Sequence, residues 1–230
     1  MINDVPVPAD SPGSPGDSAP STTPNPVGHT DAQQTRTDAQ QTRADARRSQ
    51  FLREALSQFI ERGYHGTSMR SVSQACGTSP GLLFHYFPTK DALYDELVRI
   101  GTGHLTVDVE AGLANPLNFF RKAAADSFAM AVENPDAVRM FVFMAGAQRD
   151  LGVTETSAAL LRDVDVVARC VPIIEAGQER GEIRDGDPLG LSLLFWGAIQ
   201  GSIEELARRE DRPVIEADWL VGLLNATREG

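Results

Sequence analysis

Residues 67–91 have the sequence TSMRSVSQACGTSPGLLFHYFPTKD, and this stretch decides the fold of the chain. Apolar residues recur at helical spacing in its first part, which predicts a short helix with one buried face. Gly77 can adopt the left-handed backbone of a tight turn, and Ser79 followed by Pro80 is typical of a helix start. Pro88 ends this second helix. Two short helices joined by a glycine turn predict a helix-turn-helix, which places its second helix in the major groove of DNA.

The second helix of this motif carries the side chains that we expect at base edges. Leu83 and one of the two aromatic residues that close the helix are predicted to face inward, so the opposite face is left for DNA. His85 can donate or accept a hydrogen bond at a base edge, whereas Thr67, Tyr86 and Lys90 are expected mainly at phosphates. The predicted DNA contacts are Arg47, Arg48, Thr67, Arg70, Ser79, Pro80, Gly81, Phe84, His85, Tyr86 and Lys90.

The motif and its flanks resemble the DNA-binding head of the TetR family of bacterial regulators. The run HYFPTKDAL at 85–93 is the most specific part of the likeness, which extends in detail over residues 47–100. The other residues that carry it are Phe59, Gly63, Tyr64, Thr67, Val72, Gly77, Ser79, Gly81 and Leu83. The resemblance implies a homodimer that binds double-stranded DNA at a near-palindromic operator, and a helical body with a cavity for a small effector.

Two positions inside the motif depart from the family pattern. Leu82 stands where the family often has a small hydroxyl residue, and Phe84 stands where it often has tyrosine. Each departure removes a hydrogen-bonding group, so we expect no polar DNA contact from either side chain. Phe84 can still touch the methyl group of a thymine.

The chain is predicted to contain three segments. Residues 1–43 are predicted to be a disordered Pro-rich tail with a tandem heptad repeat, and residues 1–29 of this tail hold seven of the fourteen prolines. Residues 44–91 form the helix-turn-helix head, with a first helix at 47–62. Residues 92–230 form a helical ligand-binding and dimerisation body without strand-like alternation, so the fold class is all-α. Its helices are predicted from Asp91 and at 117–133, 136–150, 154–180, 188–210 and 215–227.

A tandem heptad repeat lies at the end of the tail. The sequence TDAQQTR occurs at 30–36 and again at 37–43. We favour a duplication in a tolerant tail, and the alternative is a helical arm that brings arginines towards DNA. Arg47 and Arg48 are expected DNA contacts in either case, because an arm before a helix-turn-helix often reaches the duplex.

The net charge of −11 is unusual for a protein that binds nucleic acid. It is unevenly distributed, because residues 1–42 carry −4, residues 43–99 carry +2 and residues 100–230 carry −9. Only the region of the head is positive. We therefore expect the head to approach phosphate while the acidic body is repelled from it.

The sequence favours a cytoplasmic protein. Its two cysteines, Cys76 and Cys170, provide no disulfide framework and are expected to be small core residues in a reducing compartment. The N-terminus lacks an apolar signal segment, and the longest apolar-rich run, near 189–199, is too short to span a bilayer. We therefore expect no membrane partner.

Two groups of body residues bear on function. The last two helices are rich in apolar and small residues, and the resemblance implies that such helices form a four-helix dimer interface. Ordinary core of one chain is the alternative. The predicted dimer residues are Leu191, Leu194, Ala198, Gly201, Trp219 and Leu223. A second group of bulky, soft side chains could line an apolar ligand cavity or simply fill the core. These predicted ligand residues are Phe120, Phe128, Met140, Phe143, Met144, Trp196 and Gln200.

Catalytic motifs are missing from the sequence. It contains no GxGxxG after a strand, no P-loop, no HExxH and no GxSxG, so we expect no catalytic residue, no cofactor and no metal site. The favoured function is a sequence-specific transcriptional repressor, released from its operator by a small apolar or amphipathic effector. Two alternatives stay open. One is a helical small-molecule binding protein or enzyme whose head docks on a protein, and the other is a regulator controlled by a protein partner.

Overall fold

The computed structural model describes residues 29–150, 153–211 and 213–226, with side chains from residue 40 onward. Within these ranges the regular secondary structure is helical, apart from one isolated bridge between Ile183 and Asn225. The all-α class predicted from the sequence is confirmed. Of the tail predicted to be disordered, residues 29–43 are helical in the structure, and residues 1–28 lie outside the described part of the chain.

Twelve helices occur in the described ranges. They are α1 (His29–Gly66), α2 (Met69–Ala75), α3 (Pro80–Tyr86), α4 (Lys90–Gly103), α5 (Val109–Ala114), α6 (Pro116–Glu133), α7 (Pro135–Arg149), α8 (Glu155–Arg162), α9 (Val166–Arg169), α10 (Val171–Glu179), α11 (Pro188–Arg208) and α12 (Ala217–Val221). None of these twelve combines the length and the apolar character that a membrane span requires. The chain divides into two units, Met1–Arg43 and Ala44–Gly230, and both copies of the tandem heptad lie in the first.

The predicted helix-turn-helix consists of α2 and α3. Ser68 caps α2, because its Oγ accepts a hydrogen bond from the N–H of Ser71 at 3.0 Å while its own N–H donates to Ser71 Oγ at 3.1 Å. Gly77 has a φ of 64°, which is the left-handed conformation that the turn requires. Ser79 precedes α3 and Pro80 is its first residue, so the predicted helix start is confirmed.

One apolar core joins the head to α4 and α7. Phe51 on α1 and Leu83 on α3 have no exposed surface, and Leu97 on α4 has 1%. Phe143 and Met144 on α7 belong to the same cluster. The core of the head is therefore continuous with the packing against two helices of the body.

A second apolar core holds α6, α10, α11 and α12 together. Phe120 on α6 and Phe195 on α11 have no exposed surface, and their ring centroids lie 4.9 Å apart in an edge-to-face arrangement. Arg121 donates to Asp218 at 2.7 Å and links α6 to α12. This core fixes the position of α11.

The body departs from its predicted helix boundaries in three places. The helix predicted at 215–227 is shorter, because α12 ends at Val221. The helix predicted at 154–180 is divided into α8, α9 and α10. Asp165 starts α9 by accepting a bond from the N–H of Ala168 at 2.9 Å, and Pro172 lacks the N–H that a continuous helix would use. Helix α5 lies outside the predicted helices, because six residues are too few to show a helical period.

Candidate DNA-binding surface

Helix α3 packs one side into the protein and leaves the other side in solvent. Leu83 has no exposed surface, Phe87 has 3%, and the half-buried ring of Tyr86 lies 5.6 Å from the Phe51 ring, centroid to centroid. The exposed residues of α3 are Pro80, Gly81, Leu82, Phe84 and His85. Four of the predicted DNA contacts therefore lie together on the solvent side of one helix.

Three further predicted contacts lie close to this helix in the sequence. Ser79 is exposed and its hydroxyl makes no capping hydrogen bond, so it remains available to a phosphate. Arg70 is exposed on α2. Thr67 differs from its prediction, because it is 2% exposed and its Oγ1 donates to the carbonyl of Gly63 at 3.0 Å. The structure thus gives the Thr67 hydroxyl a partner inside the protein in place of the predicted phosphate.

Lys90 joins the start of α4 to the end of α1. Its Nζ donates to the carbonyls of Tyr64 at 2.9 Å and Thr67 at 3.1 Å, and it lies 3.9 Å from the centre of the Tyr64 ring. The Tyr64 hydroxyl donates to Asp91. Burial is the main cause that raises the pKa of Tyr64 to about 12, and this hydrogen bond is the second cause. Two of the three N–H donors of Lys90 are used inside the protein, and one is left for the predicted phosphate contact.

Arg48 is held at the junction of α1 and α4. Its guanidinium donates to Glu96 Oε1 at 2.5 Å, and its Cζ lies 5.2 Å from the centre of the Phe87 ring. Glu96 also accepts two bonds from Arg99, at 2.7 and 2.8 Å. The bond from Arg99, opposed by burial and supported by the bond from Arg48, lowers the pKa of Glu96 to about 2. The Arg48 side chain thus connects two helices, which differs from the free contact to DNA that the sequence predicts.

Glu96 is a residue of this junction that the predicted contact set omits. Its one local signal is the three-residue spacing to Arg99, which places both side chains on one face of a helix. Its contact with Arg48, 48 residues away, leaves no such signal. Arg47, predicted to contact DNA together with Arg48, donates to Gln50 at 2.8 Å.

Replacing Glu96 with glutamine removes the charge that joins α1 to α4. Because the pKa of Glu96 is depressed in the fold, its contribution to the free energy of unfolding is present above a pH of about 4.5 and is lost as the pH falls toward 2. We expect Glu96→Gln to lower stability by about 1 kcal/mol at neutral pH. The difference from the wild type should shrink below pH 4.5.

Urea unfolding at neutral and at acidic pH measures both effects. Glu110→Gln, at an exposed position of α5, is the control for loss of one carboxylate. An equal loss of stability at both pH values would show that Glu96 does not act through its charge.

Helices α11 and α12 leave large apolar side chains in solvent. Leu193 and Leu194 on α11 are 59% and 64% exposed, and Trp219 on α12 is 63% exposed. Gly197 and Gly201 on α11 are also exposed, and a Cβ at either position would meet no atom within 4 Å. We call the following residues the apolar face: Leu189, Leu193, Leu194, Gly197, Gly201, Trp219 and Leu223.

Leu191 and Ala198 differ from their prediction as dimer residues. Leu191 is 9% exposed and belongs to the second core with Phe195, and Ala198 is packed against the same core. Leu194, which is exposed, lies only three positions after Leu191. The reason is that α11 is apolar on two sides, and the sequence does not indicate which side packs within its own chain.

The predicted ligand residues are divided between the two cores. Those in the second core are Phe120, Phe128 and Trp196, and those in the first are Met140, Phe143 and Met144. Gln200 donates to Glu204 at 3.1 Å. The predicted set therefore does not surround one cavity in the described part of the chain, because bulky side chains at helical spacing mostly fill the core here.

A groove of about 610 Å³ lies between the end of α1 and the helices α4, α7 and α11. Its lining combines the aromatic rings of Tyr64, Tyr94 and Phe143 with charged side chains such as Arg149. Met140 lines a smaller groove of about 230 Å³ beside α1 and α4. The larger groove has the size of a small-molecule site and contacts both the head and the body.

Comparison with known proteins identifies the head and its relatives. Residues 51–97 match the family described as bacterial regulatory proteins, tetR family. The chain is 29% identical over 141 residues to the HTH-type transcriptional repressor KstR2 of Mycobacterium tuberculosis, which covers 60% of this chain and 70% of that protein. It is 25% identical over 151 residues to the HTH-type transcriptional regulator RutR of Escherichia coli, with 65% and 70% covered. These relatives are regulators of transcription and not enzymes.

A solved structure shows the same fold over most of this chain. The structure of AibR in complex with isovaleryl coenzyme A and operator DNA has a TM-score of 0.62 at 18% sequence identity, and the match covers 78% of this chain and 98% of that one. At this identity the likeness establishes the fold alone. The sequence match shows that residues 51–97 form a helix-turn-helix head of the TetR family of bacterial regulatory proteins, and most of the chain is similar in fold to AibR.

Proposed function

We propose that this protein is a homodimeric repressor that binds a near-palindromic operator and is released by a small-molecule effector. The observation that carries the proposal is the solvent side of α3, where Pro80, Gly81, Phe84 and His85 are exposed together. A second helix of a helix-turn-helix with such a side is suited to the major groove. The relative KstR2 is named a repressor, which favours repression here.

The proposed contacts divide into base and phosphate contacts. His85 is the exposed polar side chain of α3 and can bond to a base edge through either ring nitrogen. Ser79 and the remaining donor of Lys90 are suited to phosphates, and so is the half-buried Tyr86. Arg70 adds a positive charge on α2.

A second copy of the chain is proposed to pack on the apolar face. The exposed leucines of this face lose contact with water when they are covered, and the open space at Gly197 and Gly201 lets a helix approach closely. A dimer places two α3 helices in successive major grooves, roughly 34–36 Å apart. This arrangement gains affinity because the second head binds as part of the same molecule.

The groove between α1, α4, α7 and α11 is proposed as the effector site. Its aromatic rings suit an apolar or amphipathic ligand, and its charged lining includes Arg149 paired with Glu204 at 3.8 Å. Tyr64 and Gly63 at the end of α1 line the groove, so a ligand there contacts the first helix of the head. Such a ligand releases DNA only if it has a higher affinity for the state in which the heads do not fit the operator than for the state in which they do.

Binding of duplex DNA at increasing salt tests the DNA-binding side of the proposal. We expect a steep loss of affinity between low and moderate salt, because phosphate contacts release counterions. His85→Ala should reduce the preference for the selected sequence by about tenfold or more and leave binding to unrelated duplex unchanged. Gln148→Ala, at an exposed position of α7, is the control and should change neither.

Thermal unfolding with a panel of metabolites tests the effector side. A ligand present at about 100 times its Kd should stabilise the protein by about 2.7 kcal/mol. The same ligand should release the protein from DNA. A melting temperature that no member of a broad panel changes would favour control by a protein partner instead.

A further inference from the structure

The recognition helix presents more apolar than polar side chains to solvent. Leu82 is 38% exposed and Phe84 is 47% exposed, and both count among the large hydrophobic residues of the chain that remain in contact with water. We infer that α3 reads thymine methyl groups in its operator through Leu82 and Phe84, placed on either side of Gly81 and His85. This inference rests on the proposed function as a DNA-binding repressor.

The positions of these residues around the helix support the inference. At about 100° per residue, Gly81 and His85 lie on the side of α3 opposite the buried Leu83. Leu82 lies on one flank of that side and Phe84 on the other. Gly81 has no side chain, and a Cβ there would meet no atom within 4 Å. The backbone of α3 can therefore come close to the bases, which brings both flanking side chains within reach of the groove.

The chemistry of the major groove selects thymine for such side chains. The C5-methyl of thymine is the apolar group on the base edges, whereas the other groups of the edges are hydrogen-bond donors or acceptors. Leucine or phenylalanine placed over a guanine or cytosine edge would bury polar groups without partners, which is unfavourable. Contact with a thymine methyl removes apolar surface from water on both molecules.

Two nearby hydroxyls do not replace this apolar contact, and the exposed hydroxyl of Ser79 is assigned to a phosphate. Thr78 Oγ1 donates to the carbonyl of Ser73 at 3.3 Å, and Ser71 Oγ donates to Gln58 at 2.6 Å. Both hydroxyls are thus used within the head. In the described part of α3, His85 is the exposed side chain that can form hydrogen bonds to a base, so one polar contact and two apolar flanks remain.

The test compares thymine with uracil, which lacks only the methyl group. A duplex recovered from a random pool by the wild-type protein is resynthesised with deoxyuridine at one thymine at a time, and Kd is measured by fluorescence anisotropy. We expect some substitutions in each half-site to weaken binding about fourfold, which is the effect of one methyl group removed from water. Deoxyuridine outside the half-sites should have no effect.

Variants of the protein connect this loss to the two side chains. Phe84→Ala and Leu82→Ala should each bind the thymine duplex more weakly and lose the difference between thymine and uracil at their own positions. Val132→Ala, at an apolar residue of α6 that is 59% exposed, should keep the full difference. Because all three side chains are partly in solvent, circular dichroism should show folded protein in every case.

The outcomes separate the inference from the proposed function. Equal affinity for thymine and uracil at every position, with binding still sequence-specific, overturns the methyl readout and leaves the regulator in place. A loss that persists unchanged in Phe84→Ala and Leu82→Ala overturns the assignment to these residues. Failure to bind any selected duplex above competitor overturns both proposals.

Discussion

Leu194→Glu should separate the proposed dimer and abolish tight operator binding. Leu194 is 64% exposed on the apolar face, so the change leaves the core of each chain intact. In a two-fold symmetric interface each copy would bury one unpaired carboxylate, which costs several kcal/mol in total. We expect the dimer to dissociate about 1,000-fold more readily, and the affinity for a two-half-site duplex to fall by about two orders of magnitude or more.

Sedimentation velocity over a range of protein concentrations measures the first effect, and anisotropy with the operator duplex measures the second. Val132→Glu introduces the same charge at a residue of α6 that is 59% exposed and lies outside the apolar face. It should leave both quantities unchanged. A dimeric Leu194→Glu protein with full operator affinity would show that the copies meet elsewhere.

Lys90→Ala should weaken both the fold of the head and its binding to DNA. The ammonium group donates to the carbonyl of Tyr64 in α1 and to that of Thr67 just after α1, and it lies over the Tyr64 ring. Hydrogen bonds from a charged group contribute about 1.5–3 kcal/mol, so we expect a loss of about 2 kcal/mol in the free energy of unfolding. Affinity should fall for all DNA sequences alike, and the slope of log K against log salt should decrease by about one.

Two other substitutions at Lys90 separate the structural role from the phosphate contact. Lys90→Met keeps the aliphatic stem without the charge and should behave like Lys90→Ala in both respects. Lys90→Arg keeps the charge, but a planar guanidinium cannot reproduce the fit of the ammonium between two carbonyls and a ring. It should therefore lose stability and keep the salt slope. If Lys90→Ala leaves the salt slope unchanged, Lys90 does not contact a phosphate. If it leaves the free energy of unfolding unchanged, Lys90 does not stabilise the head.

The helix-turn-helix could be predicted because its signals are local. The turn at Gly77 and the helix start at Ser79 and Pro80 depend on the backbone preferences of these residues themselves. The inward side of α3 followed from helical spacing, and Leu83 is buried as predicted. Such features require no knowledge of what packs against the motif.

The partners of the head could not be predicted, because they depend on contacts between distant residues. The sequence indicates a free charge at Lys90 and at Arg48, but the structure pairs Lys90 with two backbone carbonyls and Arg48 with Glu96. The two sides of α11 pose a similar problem. Leu191 and Leu194 look alike in the sequence, and only the packing of α6 and α10 against one side decides which of them is buried.

The division of the bulky body residues also depends on tertiary packing. Phe120 and Phe143 are both bulky aromatic residues of amphipathic helices, yet one lies in the second core and the other in the first. A set chosen by residue type therefore joins side chains from separate clusters. The groove between the end of α1 and α7 brings together residues from four helices that no pattern in the sequence connects.

Selection of random duplex DNA by the purified protein tests the central claim, that two copies of α3 read one operator. The selection is made in moderate salt with an excess of competitor DNA, which suppresses binding through phosphates alone. We expect the recovered duplexes to share a motif with two-fold symmetry, with half-sites about one helical turn apart. If folded, dimeric protein recovers no shared motif, α3 does not read bases, and the claim is contradicted.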